Sequence, residues 1–221
     1  GPGEVRFVFI DTDETEYENL KKGAFHRDFE MNSKFIDPST EWVNTAGMNP
    51  QDNFRRFVKE DSQHPFRRWL SVEEAKLFPD QVIRNGAGAW RQLGRFMFGW
   101  NVSIVRERLR GAIGSLFADA QVRNDTSELR VFVLGSIAGG TGSSCLFDVL
   151  FLLGSELWPK LNGSPNVSAF LLSPRPFVEA VQGAQPEIAR RMAANAYALL
   201  LELAQAASPA GALFERRNFV N

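Results

Sequence analysis

Apolar positions fall into short β-rich runs and longer stretches of helical period, and the two kinds take turns along the chain. Glu4 to Ile10, "EVRFVFI", reads as a strand that exits into the polar cluster "DTDETE". Residues 20–80 carry mixed signals, with Pro38, Gly47 and Pro50 making "FIDPSTEWVNTAGMNPQDN" loop-rich. Within that region "PQDNFRRFVKED" predicts a short helix opened by Pro50. "SVEEAKLF" predicts a helix start, with Ser71 as N-cap and Glu74 closing a capping box. "NGAGAWRQLGRFMF" is a glycine-bearing turn that runs into helix. Ile104, Leu109, Ile113, Leu116 and Phe117 continue a helical spacing beyond it.

The second half is more regular. "RVFVLGSI" predicts a strand, apolar throughout, as expected when both faces are covered. "TGSSCLFDVLFLLGSEL" predicts a helix whose first turn comes from a glycine–serine cluster. "NVSAFLLSP" predicts a third strand ending at Pro174. "AQPEIARRMAANAYALLLELAQAA" is a strong helix by propensity. "SPAG" stops it, and "GALFERRNFVN" is expected to hold a final short strand. This alternation predicts an α/β fold: a mostly parallel sheet with helices on both faces.

Composition narrows the function classes. Of 221 residues, 44% are apolar, enough for a sizeable core, and the net charge of −1 gives no bulk electrostatic case for nucleic acid. The single cysteine, Cys145, excludes an internal disulfide framework and suits a reducing, cytoplasmic compartment. The longest apolar run, Cys145 to Leu153, is broken by Asp148 and too short to span a bilayer. No signal peptide is visible, and the leading "GP" reads as a protease-cleavage remnant.

The chemistry concentrates at "AGGTGSS", Ala138 to Ser144, at the carboxyl end of a predicted strand and the start of a predicted helix. Ligands of parallel sheets bind at such ends. Glycines let backbone approach a phosphate, and helix N-terminal amides favour anions. Thr141, Ser143 and Ser144 add hydroxyl donors. The plainer alternative is a tight turn with serine as N-cap. Gly135 and Gly140 have the Walker spacing, but Thr141 stands where that motif needs lysine. The dinucleotide fingerprint fits neither here nor at "GAGAWRQLG", where Gly94 is displaced. A phosphate cradle here would be built from amides and hydroxyls, without lysine.

"AGGTGSS" resembles the tubulin signature G-G-G-T-G-S-G, with Ala138 and Ser144 in place of its first and last glycines. "NGAGAWRQLGR" is similar to the second phosphate loop of FtsZ, G-A-G-x-x-P-E-x-G-R. Gly86, Ala87, Gly88, Gly94 and Arg95 match, and Arg91 and Gln92 replace the Pro-Glu pair. Asp11, Thr12 and Asp13 resemble the Asn/Asp-Thr-Asp run after the family's second strand. "LLSPRPFVE" sits where the family places its sugar-proximal loop, and "ANAYALLLEL" resembles the helix that follows. The chain is most similar to the large bacterial tubulin-like proteins.

The resemblance implies a Rossmann-like GTP-binding domain over residues 3–221, with residues 20–80 an unassigned insertion or loop-rich region. It implies that Ala138, Gly139, Gly140, Thr141, Gly142, Ser143 and Ser144 wrap the phosphates of GTP or GDP, Ser144 through its amide. Gly86, Ala87, Gly88 and Ala89 would approach the terminal phosphate. Asp11 or Asp13 would hold Mg2+ through water, or else lie in a solvated turn. Asn195 would contact sugar or base, or else pack. Polymerisation or a partner protein follows by the same route, with any GTPase site completed by an adjacent subunit. The family's first strand with its glycine-rich loop, its long central helix and its catalytic loop are not found in these residues. An incomplete, excised portion is therefore expected. The alternative is a non-catalytic scaffold or partner-binding module with a vestigial nucleotide site.

Other features have plainer readings. Arg55, Arg56, Arg67 and Arg68 stand beside aromatics in "FRRF" and "HPFRRWL", with carboxylates close by, and predict aromatic packing under a solvated face. His26 and His64 are the two histidines and suggest no zinc site. Cys145 is expected to be a small buried residue.

Overall fold

The computed structural model describes residues 5–13, 15, 18, 38–46, 50–59, 65–78, 87–123, 130–157 and 166–208. The expected final strand in "GALFERRNFVN", both histidines and Gly86 lie outside them. The strands are β1 (Phe9–Asp11), β2 (Trp42–Asn44), β3 (Arg130–Ser136) and β4 (Asn166–Leu172). The helices are α1 (Pro38–Glu41), α2 (Pro50–Lys59), α3 (Val72–Ala75), α4 (Arg91–Trp100), α5 (Val102–Arg123), α6 (Gly140–Leu157), α7 (Arg175–Gln182) and α8 (Pro186–Ala206). A 3-10 turn, Pro65–Arg68, lies between α2 and α3.

The fold is mixed α/β with parallel pairing, as the alternation predicts, but the described strands do not form one continuous sheet. β1 pairs with β2, Ile10 opposite Val43, and β3 pairs with β4, Leu134 opposite Phe170. The first strand is also shorter than expected, because hydrogen-bonded pairing begins only at Phe9.

The expectation that β3 is covered on both faces is corrected. Val131 and Val133 turn toward the helices, packing with Leu109, Ile113, Cys145 and Leu152. On the other face Phe132 and Leu134 remain 57% and 71% exposed, beside Phe170 and Leu172, each 53% exposed. A strand alternates its side chains, so an all-apolar run does not reveal whether one face or both have a cover. Here α6 and α8 lie on the same side as Val133, with Leu146, Leu199 and Ile137 between them.

Residues 50–59 and 65–78 contribute an aromatic helical cap. Phe54, Phe57, Phe66 and Phe78 bury themselves against Leu93, Phe96 and Met97 of α4. The arginines flanking these aromatics follow the packing reading. Arg67 lies 4.2 Å over the Phe57 ring, and Arg55 stays exposed beside Asp52. The capping box forms as predicted: Glu74 N–H donates to Ser71 Oγ at 3.1 Å, and Ser71 N–H to Glu74 Oε2 at 3.0 Å.

Phe96 is the centre of this cap, with ring centroids of Phe54, Phe57, Phe66 and Trp100 all within 5.5 Å. Phe96→Ala removes a fully buried ring and should cost about 3–5 kcal/mol. Phe132→Ala, on the uncovered strand face, should stay within about 0.5 kcal/mol. Urea unfolding midpoints of the two variants check this; equal losses would contradict the packing described.

Candidate functional site

Three loops converge at the carboxyl ends of β1 and β3. They are the exit of β1 at Asp11 to Asp13, the turn Ala87 to Trp90 before α4, and the cluster Ala138 to Ser144 that opens α6. Their approach is backbone on backbone. Gly140 N–H donates to the Gly88 carbonyl at 2.8 Å. A Cβ on Gly140 would lie 2.6 Å from that oxygen and 2.9 Å from the Trp90 oxygen. A Cβ on Gly94 would meet the Gly140 carbonyl at 2.6 Å, and one on Gly142 would strike the Ser136 carbonyl. Gly88 has φ of 52°, the left-handed conformation that side chains disfavour.

Gly139 differs: nothing lies within 4 Å of where its Cβ would stand. The cluster thus has an inner side that packs and an outer side that is open. The amides of Gly139, Thr141 and Gly142 have no hydrogen-bond partner among the described residues. The first amides of a helix lack intrahelical acceptors, and with the helix dipole they suit an anion.

The hydroxyls behave otherwise than expected. Ser143 Oγ–H donates to the Gly139 carbonyl, Ser144 Oγ–H to the Thr141 carbonyl at 3.1 Å, and Thr141 Oγ1–H to Asp11 Oδ1 at 3.3 Å. Each hydroxyl has one proton, and all three protons go to acceptors within these loops.

Thr12 was not singled out by its motif, yet it is 3% exposed and joins the three loops. Its Oγ1 accepts from the Ala87 amide at 2.9 Å and lies 2.9 Å from Thr141 Oγ1. Because Thr141 gives its proton to Asp11, Thr12 must donate to Thr141. Asp11 Oδ1 also accepts from Thr12 N–H at 2.6 Å, and its main-chain oxygen accepts from Thr45 N–H at 2.7 Å.

Asn195, on α8, is buried, and its Nδ2 donates to the Ala89 carbonyl at 2.9 Å and the Ala138 carbonyl at 3.0 Å. Its amide group ties the two glycine-bearing loops together. Arg91 has a related place. Its Nε donates to the Ser143 carbonyl at 2.9 Å while its NH1 and NH2 engage both oxygens of Glu202. This accounts for arginine where the FtsZ loop has proline. Arg191 lies 4.0 Å over the Trp90 ring, so α8 grips the second loop at three points.

One helical turn along, Arg95 pairs with Asp148 at 3.2 Å. Burial raises the Asp148 carboxyl above its ordinary value, although Arg95 pulls it down. Cys145 is buried beside this pair, and burial pushes its thiol far up, so it is a packing residue and not a nucleophile.

Asp13 Oδ1 caps Thr15 N–H at 2.8 Å. No three carboxylates, histidines or cysteines gather as metal ligands among the described residues. Asp11 and Asp13 are the carboxylates beside these loops that could hold a magnesium ion through water, which magnesium prefers. No helix among the described residues is long and apolar enough to cross a membrane.

The family described as "Tubulin like" matches residues 1–218, and the chain belongs to it. No curated protein and no solved structure matches.

Burial raises the Asp11 carboxyl above its ordinary value and Asp13 adds repulsion, outweighing the hydrogen bonds from Thr12 and Thr141. A raised folded pKa means the folded state favours the protonated form. The stability this gives is complete below the unfolded pKa and is lost as pH rises through the raised value. Asp11→Asn should therefore melt higher than the wild type at about pH 7. The gap should narrow as the pH falls through the raised value of the Asp11 carboxyl toward the ordinary carboxylate range. Melting curves across that range check the sign.

Proposed function

We propose that this chain is the guanine-nucleotide-binding portion of a tubulin-like protein. It holds the phosphates of GTP or GDP against the N-terminus of α6. The observation that carries this reading is the set of unpartnered amides at Gly139, Thr141 and Gly142, with open space beside Gly139. Gly88 and Ala89 stand across from it, on the loop that the Gly140–Gly88 bond holds in place. The amides bind the anion, the glycines admit it, and Asp11 and Asp13 orient the water shell of a magnesium ion. The preference for guanine comes from the family resemblance, as does polymerisation with hydrolysis completed by a neighbouring subunit. The lone buried thiol suits the cytoplasm.

A scaffold with a vestigial site is the second reading, and a specific observation favours it. Phe132, Leu134, Phe170 and Leu172 form an exposed apolar face on β3 and β4, and such faces mark association surfaces. The hydroxyls that bond to the loop's own carbonyls and to Asp11 also support it.

Gly140 and Gly142 cannot separate the readings, because a side chain at either collides with backbone whether or not a nucleotide binds. Gly139 can. Gly139→Val places its side chain in open space, so its melting temperature should stay near that of the wild type. Its affinity for GTP with magnesium should fall by about tenfold or more, a loss of about 1.4 kcal/mol. Calorimetric titration beside a thermal melt reads both. A wild type that binds no guanine nucleotide would leave the scaffold reading.

A further inference from the structure

Thr12, at the exit of β1, bonds both the Ala87 amide of the second loop and the Thr141 hydroxyl in the first turn of α6. We propose that Thr12 is a positioning residue for the phosphate site: its hydroxyl locks the second loop to α6, so that both loops meet a terminal phosphate together. This rests on the nucleotide reading above.

The chain of donors runs one way. Ala87 N–H gives to Thr12 Oγ1, Thr12 Oγ1–H gives to Thr141 Oγ1, and Thr141 Oγ1–H gives to Asp11 Oδ1. Thr12 is the middle link, and it is buried, so no water can readily replace it. The position of Ala87 fixes that of Gly88, whose carbonyl receives the Gly140 amide. The placement of the second loop on the first turn of α6 is therefore set partly by one hydroxyl. A diphosphate held on the α6 amides needs only one of these two loops. A triphosphate that reaches the second loop needs both.

Thr12→Val keeps the shape and deletes the hydroxyl, leaving the Ala87 amide without its acceptor and Thr141 without its donor. Thr12→Ser keeps the hydroxyl and deletes a methyl group. In full-length protein with magnesium, GTP and GDP titrations are expected to give a split result. Thr12→Val should lose about tenfold in GTP affinity and less than about threefold in GDP affinity, a buried bond having been broken. Thr12→Ser should bind both within about threefold of the wild type. A residue that only supports the fold would lose both nucleotides alike, and that result overturns the proposal. So does a Thr12→Val variant that binds GTP as the wild type does. If Thr12→Val does not fold, Thr141→Val breaks the same bridge while leaving the Ala87 bond in place, and the same split is required of it. A wild type that binds neither nucleotide overturns the nucleotide reading along with this one. A wild type that binds, with equal losses in the variant, overturns only the role of Thr12.

Discussion

The approach of two backbones at Gly140 and Gly88 is the constraint on which the site depends. A hydrogen bond of 2.8 Å between their main chains brings the turn before α4 onto the first turn of α6. No side chain fits between them, as the 2.6 Å gap from a Gly140 Cβ to the Gly88 oxygen shows. Gly94 then lets α4 lie against α6 at the same place. The helix pair is extended by Arg95 and Asp148 one turn on, and closed from outside by α8 through Asn195, Glu202 and Arg191. The tight contact at one end is thus reinforced by charge along the helices.

This arrangement divides labour among the polar groups. Side-chain hydroxyls satisfy carbonyls and one another inside the loops, which a buried turn requires. The main-chain amides of Gly139, Thr141 and Gly142 have no partner among the described residues. The division follows from geometry: a helix N-terminus orients its amides along the axis toward the end, while serine and threonine in the first turns reach back to nearby carbonyls. Asp11 is the costly member, since burial disfavours its charge.

Several expectations from the sequence survive in recognisable form. The helix opened by the glycine–serine cluster, the strand before it, the long alanine-rich helix and the Ser71–Glu74 box all appear close to where periodicity and capping residues put them. The glycine cluster and the second loop do meet, which two motifs far apart in sequence could only suggest. What misled was the apolar run in β3. Phe132 and Leu134 looked like core and are exposed, because hydrophobicity reports the preference of a residue and not whether a neighbour is present. Thr12 matched the family's run in sequence but carried no role there, because nothing local marks its hydroxyl. Its neighbours 75 and 129 positions away give it its role.

The sequence by itself determined the family, the segments that form β3, α6, β4 and α8, and the place of the amide-rich turn. These are local properties, set by side-chain periodicity, by caps and by glycine at a helix start. Only the tertiary structure decided which glycines are packed and which is open, and that Asn195 and Arg91 serve as ties between loops. It also decided that the hydroxyls turn inward and that one face of the β3–β4 pair is bare. Those facts depend on distances between segments remote in the chain, and a hydrogen bond or a collision exists only once the fold has brought its two partners within a few ångströms.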